Sequence, residues 1–326
     1  MATSGSIDFT VTRDDIIKAA YRHVLADEDF TLTTNQTTNA SLLLNSIVKS
    51  WNVMLHVPIW SIAYGYILPT SNATSLVVPG TTNVVSGFNS TVLASSALSG
   101  ASTITLAVSP GNINGYAIGI ELDSGDMFWT TVNGVPVGAV ITLTSPLTGN
   151  ASSNNYVYFY ATTARIQKPV RVVSAYRNDI SAYTNGFVTS VSTIPIKLVT
   201  STEFLNETTN FFSKGSPIKL AYEPGVSTSF LRFWPRFPTG KSYIQFRYSR
   251  ILEDFDSGSD NPDFPQEWYL PLVYELAVAL APTYNVGVEK FQILKSEARR
   301  WFDKVSENDY EEGSIKFYPQ IRNEYV

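Results

Sequence analysis

The chain has no cysteine, and its only histidines are His23 and His56. The absence of cysteine excludes disulfides and thiolate metal sites. Neither histidine has the helical partner of a His-Glu-x-x-His zinc motif, so we expect no metal centre. Gly111, Gly115 and Gly119 are spaced by four residues, unlike the glycines of a dinucleotide-binding loop or a P-loop. We therefore expect no cofactor.

Charged residues are also scarce, at 16% of 326 residues, and the net charge is −5. Such a chain is not expected to coat nucleic acid through bulk positive charge. No stretch reaches the roughly 20 apolar residues that a membrane span requires. Residues Met1–Thr10 lack the basic head and apolar run of a secretory signal. The length suits two or three domains of roughly 100–150 residues each.

Charge is scarcest in Thr70–Ala164, where only Glu121, Asp123 and Asp126 are charged. Strand-like runs alternate there with turn clusters, which predicts a small inserted antiparallel β-domain. The runs are Thr103–Val108, Met127–Val132, Val140–Thr144 and Tyr156–Tyr160. So few charges suit either a surface that packs on a partner or a sheet solvated by Thr and Ser.

Apolar residues at helical spacing predict an αα-hairpin between Thr12 and Trp60. A capping box of Thr12 and Asp15 opens its first helix, and Pro58 stops its second. The two apolar stripes are Ile16, Ile17, Ala20, Tyr21 and Val24, then Leu43, Leu44, Ile47, Val48, Trp51, Met54 and Leu55.

The remaining half of the chain, from Arg165 to the end, predicts strands followed by two helices. The strands are Val170–Ala175, Ile194–Thr200, Ile218–Tyr222, Phe230–Trp234 and Tyr243–Tyr248. The sequence thus predicts an α+β fold whose helical core combines the N-terminal αα-hairpin with two C-terminal helices. A β-strand segment, the inserted β-domain and an extended C-terminal arm complete it. The predicted boundaries are 1–69, 70–164, 165–307 and 308–326.

The first C-terminal helix, from Glu267 to Pro282, is apolar on almost every side. A helix of this kind must be covered from several directions. The cover is either the core of its own subunit or a neighbouring subunit, and the pattern alone does not choose between them. The candidate subunit-interface residues are Trp268, Tyr269, Leu272, Tyr274, Leu276 and Leu280.

Two acidic clusters could suggest chemistry. The loop Glu253–Asp263 fails the calcium-loop pattern, because its sixth and twelfth positions from Asp254 are Ser259 and Pro265. We interpret it as a solvated turn with a capping pair of Asp263 and Gln266. Glu121 with Asp123 or Asp126 could form a glycosidase acid pair. However, Leu122–Asp126 has the pattern of a hairpin turn, where Asp and Gly are favoured for backbone reasons. We therefore predict no catalytic residues and no enzyme.

The C-terminal arm, Asn308–Val326, lacks a helical or strand period but holds Tyr310, Phe317, Tyr318 and Tyr325. Aromatic residues are depleted in disordered tails. Fully extended, the arm spans roughly 60 Å at about 3.3 Å per residue. The composition favours an arm that folds on a partner over a frayed end.

Asp260–Val286 resembles the head-to-tail adaptor, or tail accessory factor, family of short-tailed bacteriophages. The resemblance is carried by an acidic loop, the entry Pro265-Gln266-Glu267-Trp268, and the pattern Leu-Val-Tyr-x-Leu-Ala-x-x-Leu-Ala-Pro-x-Tyr over Leu272–Tyr284. The N-terminal hairpin and the aromatic-Pro element after Phe230 resemble the family too. The segment Thr70–Ala164 departs from it as an insertion.

The resemblance implies a structural virion protein at the portal vertex, assembled in the host cytoplasm. Family members form a ring, usually twelve-fold, that docks on the portal protein, extends the DNA channel and seats tail nozzle or fibre proteins. Double-stranded DNA would pass without sequence-specific binding, and no membrane is involved. The arm would reach the portal, with Phe317, Tyr318, Arg322 and Tyr325 as anchors, a role typical of aromatic and Arg residues.

Two alternative functions stay open. Some related tail factors have been credited with muralytic activity, which would make this chain a cell-wall glycosidase using Glu121 with Asp123 or Asp126. The inserted β-domain could instead bind tail fibres or host glycans.

Overall fold

The protein has an α+β fold with helices at both ends of the chain. The computed structural model describes residues 10–25, 31–51, 53, 59–70, 74–80, 83–208, 210, 213–307 and 309. These residues form two compact units. One draws on Met1–Ser61 and Leu252–Val326, and we call it the helical unit; the other, Ile62–Ile251, is the β-unit.

The helices of the described residues are α1 Arg13–Leu25, α2 Thr34–Trp51, α3 Ser201–Glu207, α4 Tyr269–Leu280 and α5 Val288–Ser306. The predicted capping box opens α1: Thr12 Oγ1 accepts from the Asp15 amide at 3.3 Å, and Asp15 Oδ2 accepts from the Thr12 amide at 3.2 Å. The Thr12 hydroxyl also donates to Asp15 Oδ2, at 2.6 Å, and this bond together with that from the Thr12 amide lowers the pKa of Asp15. Thr33 and Gln36 form an equivalent box before α2, which the sequence analysis missed.

The helical unit is organised around α4, which packs against α1, α2 and α5. The predicted α1 stripe from Ile16 to Val24 is buried against it. An aromatic cluster closes one end of the unit, with Trp268 at its centre. The Trp268 ring centroid lies 5.0 Å from that of Trp51, 5.7 Å from Trp60 and 5.6 Å from Phe302. Such offset and edge contacts add to the area that the rings bury.

The β-unit holds the strands of the described residues. They are β1 Ile62–Ile67, β2 Ser75–Val78, β3 Val84–Val85, β4 Asn89–Val92, β5 Thr103–Thr105, β6 Ala117–Glu121, β7 Met127–Thr131, β8 Val140–Thr142, β9 Tyr156–Tyr160, β10 Arg171–Thr184, β11 Phe187–Pro195, β12 Lys197–Val199, β13 Lys219–Glu223, β14 Ser229–Trp234 and β15 Ser242–Ser249.

Two of its sheets share one hydrophobic core. The orders are β11-β10-β15-β1-β3 and β12-β13-β14-β2. Phe233 on β14 and Phe246 on β15 are fully buried in that core. Gly65 on β1 pairs with Phe246, and a Cβ at Gly65 would lie 2.5 Å from the Phe246 ring. Only glycine therefore fits this position without a shift of the ring.

A third sheet, β4-β9-β6-β7, and the β5–β8 ribbon enclose a second core of the β-unit. Strands β5, β7, β8 and β9 lie within the four runs predicted in Thr70–Ala164, whereas β4 and β6 were not predicted. The turn at Asn133-Gly134 is also as predicted, and Gly134 has a φ of 83° there, which favours glycine.

The boundaries differ from the four predicted segments. β1 pairs with β15, from Ile62 opposite Ser249 to Ile67 opposite Ile244, and β14 pairs with β2. These backbone ladders join β10–β15 to the residues before them rather than to the helices. Strands β2 and β3 lie inside the predicted insertion, yet they belong to the two main sheets.

Two predicted strands differ in their bounds from the observed strands. The predicted strand Ile194–Thr200 is divided at Ile196 between β11 and β12, and Val170–Ala175 is the beginning of the longer β10. The hairpin of β10 and β11 turns at Asn185 and Gly186, which both have positive φ.

We predict that Leu276→Ala destabilises the helical unit by about 2–5 kcal/mol, because the side chain is fully buried in α4 and its removal leaves a cavity. Urea unfolding followed by circular dichroism at the helix minimum measures the change. Leu42→Ala is the matched control. Leu42 is 63% exposed on α2, so its loss should change the free energy of unfolding by less than about 0.5 kcal/mol. Equal effects of the two changes would contradict the central position of α4.

Candidate docking surfaces

A large apolar cavity opens in the helical unit. Its volume is about 940 Å³, and three tryptophans, Trp60, Trp268 and Trp301, contribute to its lining. Tyr269, Leu270 and Val305 add further apolar surface. We call it the Trp cavity. The short 3-10 turn Gln266–Trp268 leads into α4 on one side, and the last turns of α5 form the other.

Polar groups around the Trp cavity are few and specific. The indole Nε1 of Trp268 donates to Asp309 Oδ2 at 3.0 Å. The Nε1 of Trp60 is buried and has no hydrogen-bond partner among the described residues. On Trp301, the Lys304 ammonium lies 4.8 Å from the ring centroid and the Arg300 guanidinium 5.4 Å. These are cation–π distances. The cavity thus combines an aromatic wall with two cations close to one of its tryptophans.

A smaller cavity of about 500 Å³ lies among α2, α4 and α5, with Glu275 on its wall. Glu275 Oε2 accepts from Trp51 Nε1 at 3.1 Å. Burial raises the pKa of Glu275, and the Trp51 hydrogen bond offsets part of that rise. Lys295, Arg299 and Asp303 of α5 line the same cavity.

The predicted interface residues of α4 differ in their exposure. Trp268, Leu272, Leu276 and Leu280 are buried inside the helical unit by the same chain, whereas Tyr269 and Tyr274 are half-buried. Four of the six side chains are therefore covered by the core of their own subunit and not by a neighbouring one. A role in subunit contact stays a prediction for Tyr269 and Tyr274. The predicted arm anchors Phe317, Tyr318, Arg322 and Tyr325 lie outside the described residues.

The β-unit has an uncovered edge at β11. This strand ends its five-stranded sheet, and no strand pairs with its outer side in the part of the chain that the structure describes. Eight of its nine residues are exposed, and none carries a charge. Phe187 is 60% exposed, and Val191 and Ile194 are also exposed. A long uncharged edge of this kind is a template for pairing with another chain.

The three acids of the β-unit have structural partners. Glu121 is buried, and its carboxylate accepts from the amides of Gly240 at 3.0 Å and Tyr156 at 3.2 Å. Burial raises its pKa, while those two amides act in the opposite direction. Asp123 accepts from the Ser152 amide at 2.8 Å, which lowers its pKa. Asp126 forms an ion pair with Lys214 at 3.0 Å. All three carboxylates thus fix loops in place.

The acidic loop is also tied into the helical unit. Lys49 Nζ lies 2.8 Å from Asp254 Oδ1, and Asp260 Oδ2 accepts from the amides of Asp256 and Ser257. The predicted capping pair is wrong. Pro265 is the N-cap residue and no side chain caps the turn, because Asp263 instead accepts from the Glu253 amide at 3.2 Å.

His23 packs against an aromatic ring. His23 stacks on Tyr274 with ring centroids 4.6 Å apart, and burial lowers its pKa. His56 lies outside the described residues. No group of three or more His, Asp or Glu is placed to hold a metal ion in the described ranges. Nor does any described helix combine the length and apolar character needed to cross a bilayer.

Comparison with known proteins gives no assignment: no protein-family model and no curated protein matches the chain.

Sequence reasoning missed the Trp cavity, the β11 edge and Glu275. A signal existed for Glu275, the only charged residue of α4, and for β11, a β-branched run without charge. The Trp cavity had none, because its tryptophans lie at positions 60, 268 and 301 and meet only in the folded unit.

We predict that Glu275→Gln stabilises the helical unit at neutral pH. Because burial raises the folded-state pKa above the ordinary 4.5, the folded state binds the proton more tightly, and stability falls as pH rises from that value through the raised pKa. Glutamine stays neutral and can still accept from Trp51. The variant should therefore unfold at a higher urea concentration at neutral pH, and the gain should vanish in acid below the ordinary pKa.

The control is Glu289→Gln. Glu289 is exposed in the first turn of α5, where an acid favours the helix by about 0.3–1 kcal/mol. This change should slightly destabilise the unit at neutral pH, opposite in sign to Glu275→Gln. A pH-independent gain for Glu275→Gln would exclude burial of its charge as the cause.

Proposed function

We propose that this chain is the subunit of a head-to-tail adaptor, a twelve-fold ring that joins a bacteriophage portal to the tail. The observation that carries the proposal is that the helical elements bearing the resemblance meet in one unit. Helices α1 and α2 and the pattern Leu272–Tyr284 pack on one core. Tyr284, at the end of that pattern, lies against Tyr21 of α1 with hydroxyls 3.1 Å apart.

The edge of β11 supports an oligomer. Natural proteins usually protect a sheet edge with charge, proline or a cover. Here the exposed run Phe187–Ile194 has none of these among its own residues. A neighbouring copy that packs on this edge would provide the cover. In a ring each subunit presents two different faces, so β11 would serve one face and a separate surface the other.

A structural role is also favoured over the glycosidase alternative. A retaining or inverting glycosidase needs two carboxyl groups that face a shared substrate space. Glu121 instead accepts two backbone amides while buried, and Asp126 is paired with Lys214. We therefore propose a non-enzymatic function in the virion. The chain would form a twelve-fold ring, as in the family, and its partners would be the portal and a tail nozzle or fibre protein.

We predict that Ser190→Lys with Ser192→Lys prevents ring formation without unfolding the subunit. Both serines are exposed on β11, so the lysines add edge charge that opposes strand pairing while leaving the core intact. Negative-stain electron microscopy of the chain mixed with its portal measures ring formation. The control is Ser227→Lys with Thr228→Lys, which adds the same charge on an exposed loop. Rings from the β11 variant would exclude this edge from the subunit contact.

We also predict that Phe317→Ser with Tyr318→Ser weakens portal binding about tenfold or more, because interface aromatics often contribute over 1.4 kcal/mol each. Binding of the full chain to immobilised portal measures the loss. Tyr64→Ser is the control, since Tyr64 is an exposed aromatic of the β-unit that lies on β1, away from the proposed β11 contact. Undiminished binding of the Phe317/Tyr318 variant would refute the arm's assignment to the portal.

A further inference from the structure

The Trp cavity lies where the described chain ends. Asp309 lines it, and the hydrogen bond from Trp268 Nε1 to Asp309 Oδ2, 3.0 Å long, holds this last described residue at the cavity. The C-terminal arm continues from there for 17 further residues, 310–326. Whatever the arm does, it therefore starts beside an apolar cavity of about 940 Å³.

We propose that the Trp cavity is the seat of the chain's own C-terminal arm in the unassembled subunit. The volume is at the upper end of the roughly 300–1,000 Å³ of ligand pockets, so it has room for more than one aromatic side chain. The arm supplies Phe317 and Tyr318 as an adjacent pair. Aromatic rings pack well on an indole wall in edge and offset contacts.

The polar chemistry of the cavity matches a peptide. A hydrogen bond from the cavity wall, donated by Trp268 Nε1, already holds Asp309 at the beginning of the arm. Glu267 and Lys304 line the cavity, and the arm carries Lys316, Arg322 and several glutamates of complementary charge.

Covalent connection favours this occupant over others. A segment attached at the cavity has a high effective concentration there, so even weak contacts fill the site. A second copy must supply the same segment from solution and gains no such advantage at low concentration. The proposal stands on the cavity and the arm's attachment, and it does not depend on the adaptor function.

The absence of cysteine allows a clean test in the full chain. Gln320→Cys, labelled with bimane, places a single fluorophore next to Phe317 and Tyr318. Tryptophan quenches bimane on contact. We expect most of the emission to be lost relative to the denatured chain, and Trp301→Phe to restore part of it.

Two substitutions locate the contact. Leu270→Asp puts a charge into the cavity wall and should restore emission, as should Phe317→Ser with Tyr318→Ser. Leu42→Asp is the matched control, because Leu42 is also an exposed leucine at a helix surface but does not line the cavity. It should leave the quenching unchanged, and circular dichroism checks that each variant is folded.

Three results would overturn the proposal. Emission equal to that of the denatured chain would mean that the arm does not dock. Quenching that survives Leu270→Asp would place it elsewhere. Quenching that appears only as concentration rises, or that unlabelled chain dilutes out, would assign the cavity to the arm of a second copy. If the labelled chain is unquenched yet binds the portal, the adaptor function stands and only this inference fails.

Discussion

The burial of α4 is the constraint on which the helical unit depends. This helix is apolar on almost every side, so most of its surface must be covered by other parts of the protein. Helices α1, α2 and α5 supply the cover, and they come from opposite ends of the sequence. Covering α4 therefore requires the two ends of the chain to fold together. The β-unit can then be built from one continuous segment, Ile62–Ile251, whose own ladders join its first strand to its last.

Local patterns made much of this fold predictable, and non-local pairing set the limit. The capping box at Thr12 and the stripe from Ile16 to Val24 each lie within three helical turns, so both can be recognised from neighbouring residues in the sequence. Composition alone places a boundary at Thr70, whereas strand pairing continues the two main sheets beyond it to β3. Strands β2 and β3 are as poor in charge as the insertion beside them, but they pair with β14 and β1. Only the partner strands reveal where they belong, and β14 follows β2 by more than a hundred residues.

The candidate sites follow the same division. The turn that holds Asp123 and Asp126 could be predicted because Asp and Gly have local backbone reasons to lie in turns. Gly240, the partner of Glu121, and Lys214, the partner of Asp126, are remote and were not foreseeable. The Trp cavity is the extreme case, since it exists only where three distant segments meet. Residues that look like ordinary core aromatics in the sequence thus become a concave surface in the fold.

An arm that docks on its own subunit changes how a partner must bind. If some of the chains hold the arm in the Trp cavity, only the remaining chains can bind a partner of that arm. The apparent affinity is then the intrinsic affinity multiplied by the fraction of chains whose arm is free. A single subunit would then bind weakly. A ring presents many arms at once, so the combined contacts of several arms can exceed the cost of releasing each. Self-docking would in this way make partner binding depend on assembly, with no change needed inside the core around α4.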